Sequence, residues 1–276
     1  MTSAAAEGLE RSCGAGNRVR SGTSRPGFER AEASFSTMRF APHRHDAYAI
    51  GITLRGVQSF GYRGTTLHSE AGCAFVIHPD ETHDGRAGTD EGFGYRILYI
   101  APRLISEALG LRALPFVRDA VTRESKLRRA ICAALDAFDV PIEGLHFDDL
   151  VARLADALTA HDPAPQRIPA RAESAVRIAR DYLDEAADLP SSEALEQLTG
   201  LSHFELARHF RRCLGTSPYR YATMRRLERA RRLIAANAPL ADAAAACGFS
   251  DQSHMTRQFK QAYGIAPGAW RELTRH

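Results

Sequence analysis

No stretch of this 276-residue chain approaches the ~18 consecutive apolar residues of a membrane span, so a bilayer-crossing protein and a membrane partner are excluded as readings. The first 27 residues also lack the apolar block of about 7 to 15 residues that a secretory signal needs. Rich in Ser, Gly, Ala and Arg, they read as a disordered tail on a cytoplasmic protein. Cysteine is sparse: Cys13, Cys73, Cys132, Cys213 and Cys247 are odd in number, scattered and without CxxC spacing, which excludes a disulfide framework and a cysteine zinc site. Four of them lie in or beside apolar runs and read as small buried hydrophobes. Net charge is small overall, +3 from 36 basic and 33 acidic residues, but unevenly placed. From Ser202 to His276 there are 13 basic residues against 5 acidic, a net of +8 before histidine, so one end carries the potential a polyanion would feel.

The length allows two domains, and the hydrophobic pattern changes period between them. Residues 28–110 hold short alternating segments broken by glycine (AYAIGITL, QSFGYR, GCAFVIHP, FGYRILYI), the pattern of a compact antiparallel β unit. Residues 111–160 turn helical, with apolar residues at i, i+3, i+4 and i+7 over 119–138 and 145–160. Val121, Leu127, Ile131, Ala134, Leu135 and Phe138 form a stripe on the first of these that one small barrel would leave uncovered, a candidate homodimer face. Three prolines in HDPAPQRIPA mark 161–170 as a linker. From Arg171 to the end everything reads as helix, with starts at Ser191, Ser202, Pro218, Pro239, Asp251 and Pro267.

Within 171–276 one pattern is written twice. Stepping forward by 49 takes Leu206 to Met255, Arg208 to Arg257, Phe210 to Phe259, Gly215 to Gly264 and Pro218 to Pro267; upstream, a step of 48 takes Gly200 to Gly248. Each copy is a short helix, a glycine turn and a second helix, the helix-turn-helix plan. Helical geometry at 100° per residue puts Leu206, Phe210 and Cys213 on one face and Phe204, Arg208 and Arg211 on the other. The second copy divides the same way, with Met255, Phe259 and Ala262 inward and Ser253, Arg257 and Lys260 outward. Cations beside a small or aromatic residue suit the phosphates and base edges of double-stranded DNA. The helix joining the copies carries Arg220, Arg225, Arg226, Arg229, Arg231 and Arg232, several of which are expected to reach phosphate.

These residues closely resemble the DNA-binding domain of AraC-family transcription regulators, most specifically from Ala243 through CGFSDQSHMTRQFKQAYGIAPGAWR. The resemblance implies base contacts from Phe204, Ala207 and Arg208 in the first recognition helix and from Gln252, Ser253, His254 and Arg257 in the second. It also implies RNA polymerase as a possible further partner. The run APHRHDAYAIGITLRGVQSF, then YRG, then AGCAFVIHPDETHDG, looks like the cupin-type β-barrel effector domain such regulators often carry. The expected fold is therefore an all-β cupin-like barrel with following helices, then an all-α double helix-turn-helix.

In such a barrel His43, His45 and His83 form an HxH…H set able to converge. Three readings stay open: a metal site, a set of hydrogen-bonding groups for an organic effector, and plain structural satisfaction. Metal-binding cupins usually add a glutamate soon after HxH, whereas here Asp46 follows and no glutamate occurs until Glu70. Tyr48, Tyr62 and Tyr95 are candidates for the pocket wall or the core, and His78 reads as a strand-end residue. The leading expectation is a regulator responding to a small-molecule effector, with no enzyme activity and no cofactor. The alternatives are a metal-dependent cupin enzyme or metal sensor with a DNA-binding appendage, and a barrel that only dimerises.

Overall fold

A computed structural model describes residues 18–36, 39–110, 112–136, 138–163, 168–186, 189–264, 266–268 and 271. Strand pairing begins earlier than the sequence suggests: β1 (Arg18–Ser21) pairs with β2 (Phe28–Phe35), so the expected tail of 1–27 ends in ordered structure. The remaining strands are β3 (Arg39–His43), β4 (Tyr48–Tyr62), β5 (Thr65–Glu70), β6 (Ala74–Ile77), β7 (His83–Ala87), β8 (Phe93–Ile100) and β9 (Val121–Thr122). All pairings are antiparallel. One layer runs β1-β2-β8-β4-β6-β9, while β3, β7 and β5 attach through the far half of the long β4. That strand serves both layers because it breaks register between Thr53 and Arg55 and turns at Gly56. At Gly56 φ is +64° and a Cβ would meet the Gly92 carbonyl, so only glycine fits the bulge. Phe35, Phe60, Phe75, Phe93, Tyr95 and Ile97 fill the core.

The cupin-like β fold is present, and among the described residues its sheet is not closed, the hydrogen-bonded path ending at the short strands β1 and β9. Two expectations about the following helix are corrected. The helix expected over 119–138 is shorter, because Val121 and Thr122 pair with Phe75 and Ala74 as β9. Helix α2 (Ser125–Leu135) follows once the Glu124 carboxylate accepts the amides of Lys126 and Leu127 as an N-cap. With α1 (Pro102–Ala108) and α3 (Gly144–Thr159) it completes the unit. The stripe offered as a dimer face is covered within the chain, since Leu127, Ile131, Ala134, Leu135 and Phe138 are all buried and α2 packs on α3, β4, β6 and β8. Arg30, only 1% exposed, ties this packing together. It donates to the carbonyls of Thr23 at 3.1 Å, Asp136 at 3.0 Å and Val140 at 3.1 Å.

The chain divides into two compact units, Met1–Gly110 with Pro115–Pro165 and Leu111–Leu114 with Gln166–His276. The expected linker, 161–170, lies partly outside the described residues. In the second unit α4 (Ala170–Glu185), α5 (Ser192–Thr199), α6 (His203–Leu214), α7 (Pro218–Ala235), α8 (Leu240–Ala246) and α9 (Gln252–Tyr263) follow in order. Their starts are chemical: the Ser191, Ser202, Ser217 and Asp251 side chains accept first-turn amides, and Pro218 opens α7. Of the cysteines, Cys73, Cys213 and Cys247 are buried as expected, while Cys132 is exposed on α2 and Cys13 lies outside the described residues. Among the described residues no helix is long and apolar enough to cross a membrane.

Candidate nucleic-acid interface and effector site

The duplicated sequence becomes a duplicated structure. Helices α5 and α6 are joined at Gly200 (φ +68°), and α8 and α9 at Gly248 (φ +70°). Both turns need the left-handed backbone that a side chain disfavours. In α6 the inward face holds Leu206, Phe210, Cys213 and Leu214; in α9 it holds Met255, Phe259 and Ala262. The opposite faces present Phe204, Arg208 and Arg211 from the first unit and Gln252, Ser253, Arg257 and Lys260 from the second, all exposed. Ala207 is half-buried beside them. His254 also makes contacts within the unit: its backbone amide donates to Asp251, its Nδ1 lies 3.1 Å from Ser250 Oγ, and its ring meets Phe249 edge to face. It supports the start of α9 and lies half-buried.

The arginines of α7 depart most from the sequence expectation. Arg226 donates from Nε to the Cys247 carbonyl at 2.6 Å and lies over the Phe249 ring, so it clasps the second glycine turn. Arg220 is buried; Arg229 donates to the Ala186 carbonyl; Arg225 pairs with Glu228 and Arg231 lies over Tyr263. Of the six, only Arg232 is exposed. Half of these arginines, Arg226, Arg229 and Arg231, reach other elements of the unit. The reason is local: the carbonyls left over at the ends of α4 and α8 need donors, and long guanidinium side chains supply them.

In the β unit His43 and His83 face each other in register on β3 and β7, with ring centroids 4.3 Å apart, and His45 lies 4.8 Å from His83. Each Nδ1 lies against a carbonyl, Ala41 for His43, Ala47 for His45 and Glu81 for His83, at 2.8 to 3.0 Å. A carbonyl only accepts, so each Nδ1 carries the proton and each Nε2 keeps its lone pair. Burial first, then mutual repulsion, depresses His45 to about 4 and His83 to about 2; burial lowers His43 as well. The three rings are neutral at physiological pH. His45 Nε2 is buried without a hydrogen-bond partner, and the Tyr99 ring, not expected from sequence, stands edge-on to His45.

Among the described residues no group of three or more His, Cys, Asp or Glu is arranged to hold a metal ion, and the His43 and His45 ring centroids are 6.2 Å apart. The tyrosines divide. Tyr62 lies in register with His83, but its hydroxyl is 3.0 Å from His78 Nδ1. Tyr48 donates to the Pro115 carbonyl and stacks near His78. Tyr95 is core, stacked on Phe93. His78, expected only to end a strand, is a hub: its Nε2 accepts the Val117 amide at 3.0 Å, and burial with the nearby Arg63 cation holds it near 4. The partner 39 residues away leaves no trace in the local sequence.

Comparison with known proteins agrees with this architecture. The family of AraC-like ligand binding domains matches residues 25–139, and a helix-turn-helix domain family matches residues 195–273. The uncharacterized HTH-type transcriptional regulator YbfI of Bacillus subtilis (strain 168) is 26% identical over 228 residues, 79% of this chain and 82% of its own. The probable transcriptional regulator LumQ of Photobacterium leiognathi is 39% identical over 59 residues, 21% of this chain and 24% of its own. An apo form of ToxT from Vibrio cholerae strain SCE256 shares the fold at a TM-score of 0.60 and 10% identity, over 91% of this chain and 99% of that one. The wild-type ToxT structure with bound unsaturated fatty acid aligns at 0.59 and 11% identity, over 94% and 96%. A β domain matching the AraC-like ligand binding family, followed by two helix-turn-helix units matching a helix-turn-helix family, is the make-up of an AraC-type DNA-binding transcriptional regulator with a ligand-binding domain.

Proposed function

We propose that α6 and α9 enter the major groove and read bases through Phe204, Ala207, Arg208, Gln252, Ser253 and Arg257, with Arg211 and Lys260 on phosphate. The observation that carries this reading is the matched exposure of Arg208 and Arg257 on helices whose opposite faces are buried. Helix α7 has 18 residues, and at ~1.5 Å each spans roughly 27 Å, close to the ~34 Å of a duplex turn. One chain would then read two half-sites. The effector is proposed to sit against His43, His45 and His83. An unpartnered buried nitrogen costs about 1 to 3 kcal/mol, which a ligand's donor would relieve. The chain is further proposed to act in the cytoplasm, to pair as a homodimer through a face other than the covered α2 stripe, to engage RNA polymerase when activating, and to catalyse nothing.

The test uses the intact chain. A duplex enriched from random sequence is bound with and without each member of a metabolite panel, and sedimentation at micromolar concentration reports the oligomer. The reading expects one compound to change duplex affinity and to raise the melting temperature of the chain but not of His45→Ala with His83→Ala. A panel hit unaffected by those substitutions would move the effector elsewhere, and a monomer bound to the duplex would remove the dimer.

A further inference from the structure

The two recognition helices do not offer DNA the same chemistry. At the position where the second copy has Ser253, the first has Phe204; where the second has Thr256, the first has Ala207. Phe204 and Ala207 stand three apart, so they adjoin on one helix face, with Arg208 next to them. Among the described large apolar side chains of its unit Phe204 is the most exposed, 77% against 56% for Tyr219. An aromatic ring left in water is a cost to the free protein unless something covers it.

The ring is also held in place. The His203 ring lies 4.1 Å from it, and His203 is pinned twice by one carboxylate oxygen of Glu196 on α5, to Nδ1 at 2.5 Å and from its backbone amide at 2.6 Å. The capping box between Ser202 and Glu205 fixes the helical turn beneath. The Glu196–His203 pair therefore ties the first helix of the unit to the aromatic of the second.

On these grounds, and resting on the proposed entry of α6 into the groove, we propose that the first unit reads the 5-methyl group of thymine through Phe204, with Ala207 beside it and the Glu196–His203 clamp as positioning residues. The thymine methyl is the one apolar group on the major-groove edges of the bases. The second unit reads by hydrogen bonds instead, from Gln252, Ser253 and Arg257. The operator is accordingly asymmetric in chemistry: one half depends on thymine methyls, the other on donors and acceptors.

Replacing thymine by deoxyuridine removes only the methyl and leaves every hydrogen-bonding edge intact. In the duplex enriched by selection with the intact chain, each thymine is exchanged singly and binding is measured by fluorescence anisotropy. Burying one methyl against the ring is worth about a fourfold change in Kd. We expect that loss at one or two thymines, absent in Phe204→Ala, and reduced in His203→Ala. Arg257→Ala should keep the thymine preference while weakening binding overall. Phe204 is exposed, so its replacement leaves the fold intact, and unchanged circular dichroism verifies this. The proposal is overturned if no thymine is sensitive, or if Phe204→Ala keeps the discrimination. Loss of DNA bending in that variant with no thymine dependence would mean a wedge between bases and overturns it as well. Should selection enrich no sequence, base reading by either helix fails, a result distinct from methyl-insensitive binding to an enriched duplex.

Discussion

Replacing Arg226 by methionine keeps the length of the side chain but removes the clasp on the second glycine turn. The guanidinium is 4% exposed, donates to the Cys247 carbonyl at 2.6 Å, and sits 4.5 Å from the centroid of Phe249. A hydrogen bond from a charged donor contributes about 1.5 to 3 kcal/mol, and a desolvated cation–π contact about 0.5 to 2. The two share one group and do not fully add, so about 2 to 4 kcal/mol is expected. A two-unit chain has no single unfolding free energy, so the readout is local: hydrogen exchange of α8 and α9 amides in the intact protein. Sub-global opening should quicken by roughly 30- to 1,000-fold there, with little change in the β unit. Arg226→Lys, which keeps charge but not the planar fork, should fall between. The salt dependence of DNA binding, measured on Arg226→Met, should keep its slope. If exchange is unchanged and the log–log salt slope drops by about one, Arg226 is a phosphate contact and the clasp is wrong.

Three further outcomes follow from the geometry. The β unit should lose stability as pH falls from about 6.5 toward 4, because the unfolded chain takes up protons that buried His45 refuses; the shift from 6.5 to about 4 corresponds to about 3 kcal/mol. Hydrogen exchange of β-unit amides across an acid titration, corrected for intrinsic rates, should show this loss, and His45→Gln should remove its share while those of His78 and His83 remain; an unaltered profile in that variant would mean the histidine is solvated. Gly248→Ala should cost about 1 to 2 kcal/mol in the second unit, since φ is +70°, whereas Gly144→Ala, with open space at its Cβ, should be neutral or slightly stabilising. Ser202→Ala removes the N-cap of α6 and should cost about 0.5 to 2 kcal/mol, read as faster exchange of the first-turn amides.

What the sequence revealed was local physics. The stripes Leu206–Phe210–Cys213 and Met255–Phe259–Ala262 repeat at the helical period, and Ser191, Ser202 and Asp251 announce helix starts by residue type alone. What it hid was pairing at a distance. Nothing in GCAFVI or DAVTRES says that Val121 and Thr122 will lie beside Phe75 and Ala74, and an amphipathic pattern over 119–138 looks continuous until β6 claims two of its residues. The α7 arginines look like one solvated basic face; their fates depend on carbonyls of Cys247 and Ala186 that only folding brings near. In the candidate effector site the HxH spacing was legible, but that His43 falls opposite His83 follows from the β3–β7 register, and His45 lies just beyond the end of β3. The departure of the Tyr48 and Tyr62 hydroxyls toward Pro115 and His78 was not, since it follows from the path of residues 115–117.

The proposal that the chain reads DNA through two helices, one from each unit, rests on Arg208 and Arg257, whose replacement variants can be compared directly. Binding of the intact chain, Arg208→Ala and Arg257→Ala to the enriched duplex and to a scrambled one, at a single fixed salt concentration, is the decisive measurement. Each substitution should weaken the enriched duplex by about 1 to 3 kcal/mol, roughly 5- to 150-fold, and leave the scrambled duplex nearly unchanged. Equal losses on both duplexes, or no loss on either, would contradict it.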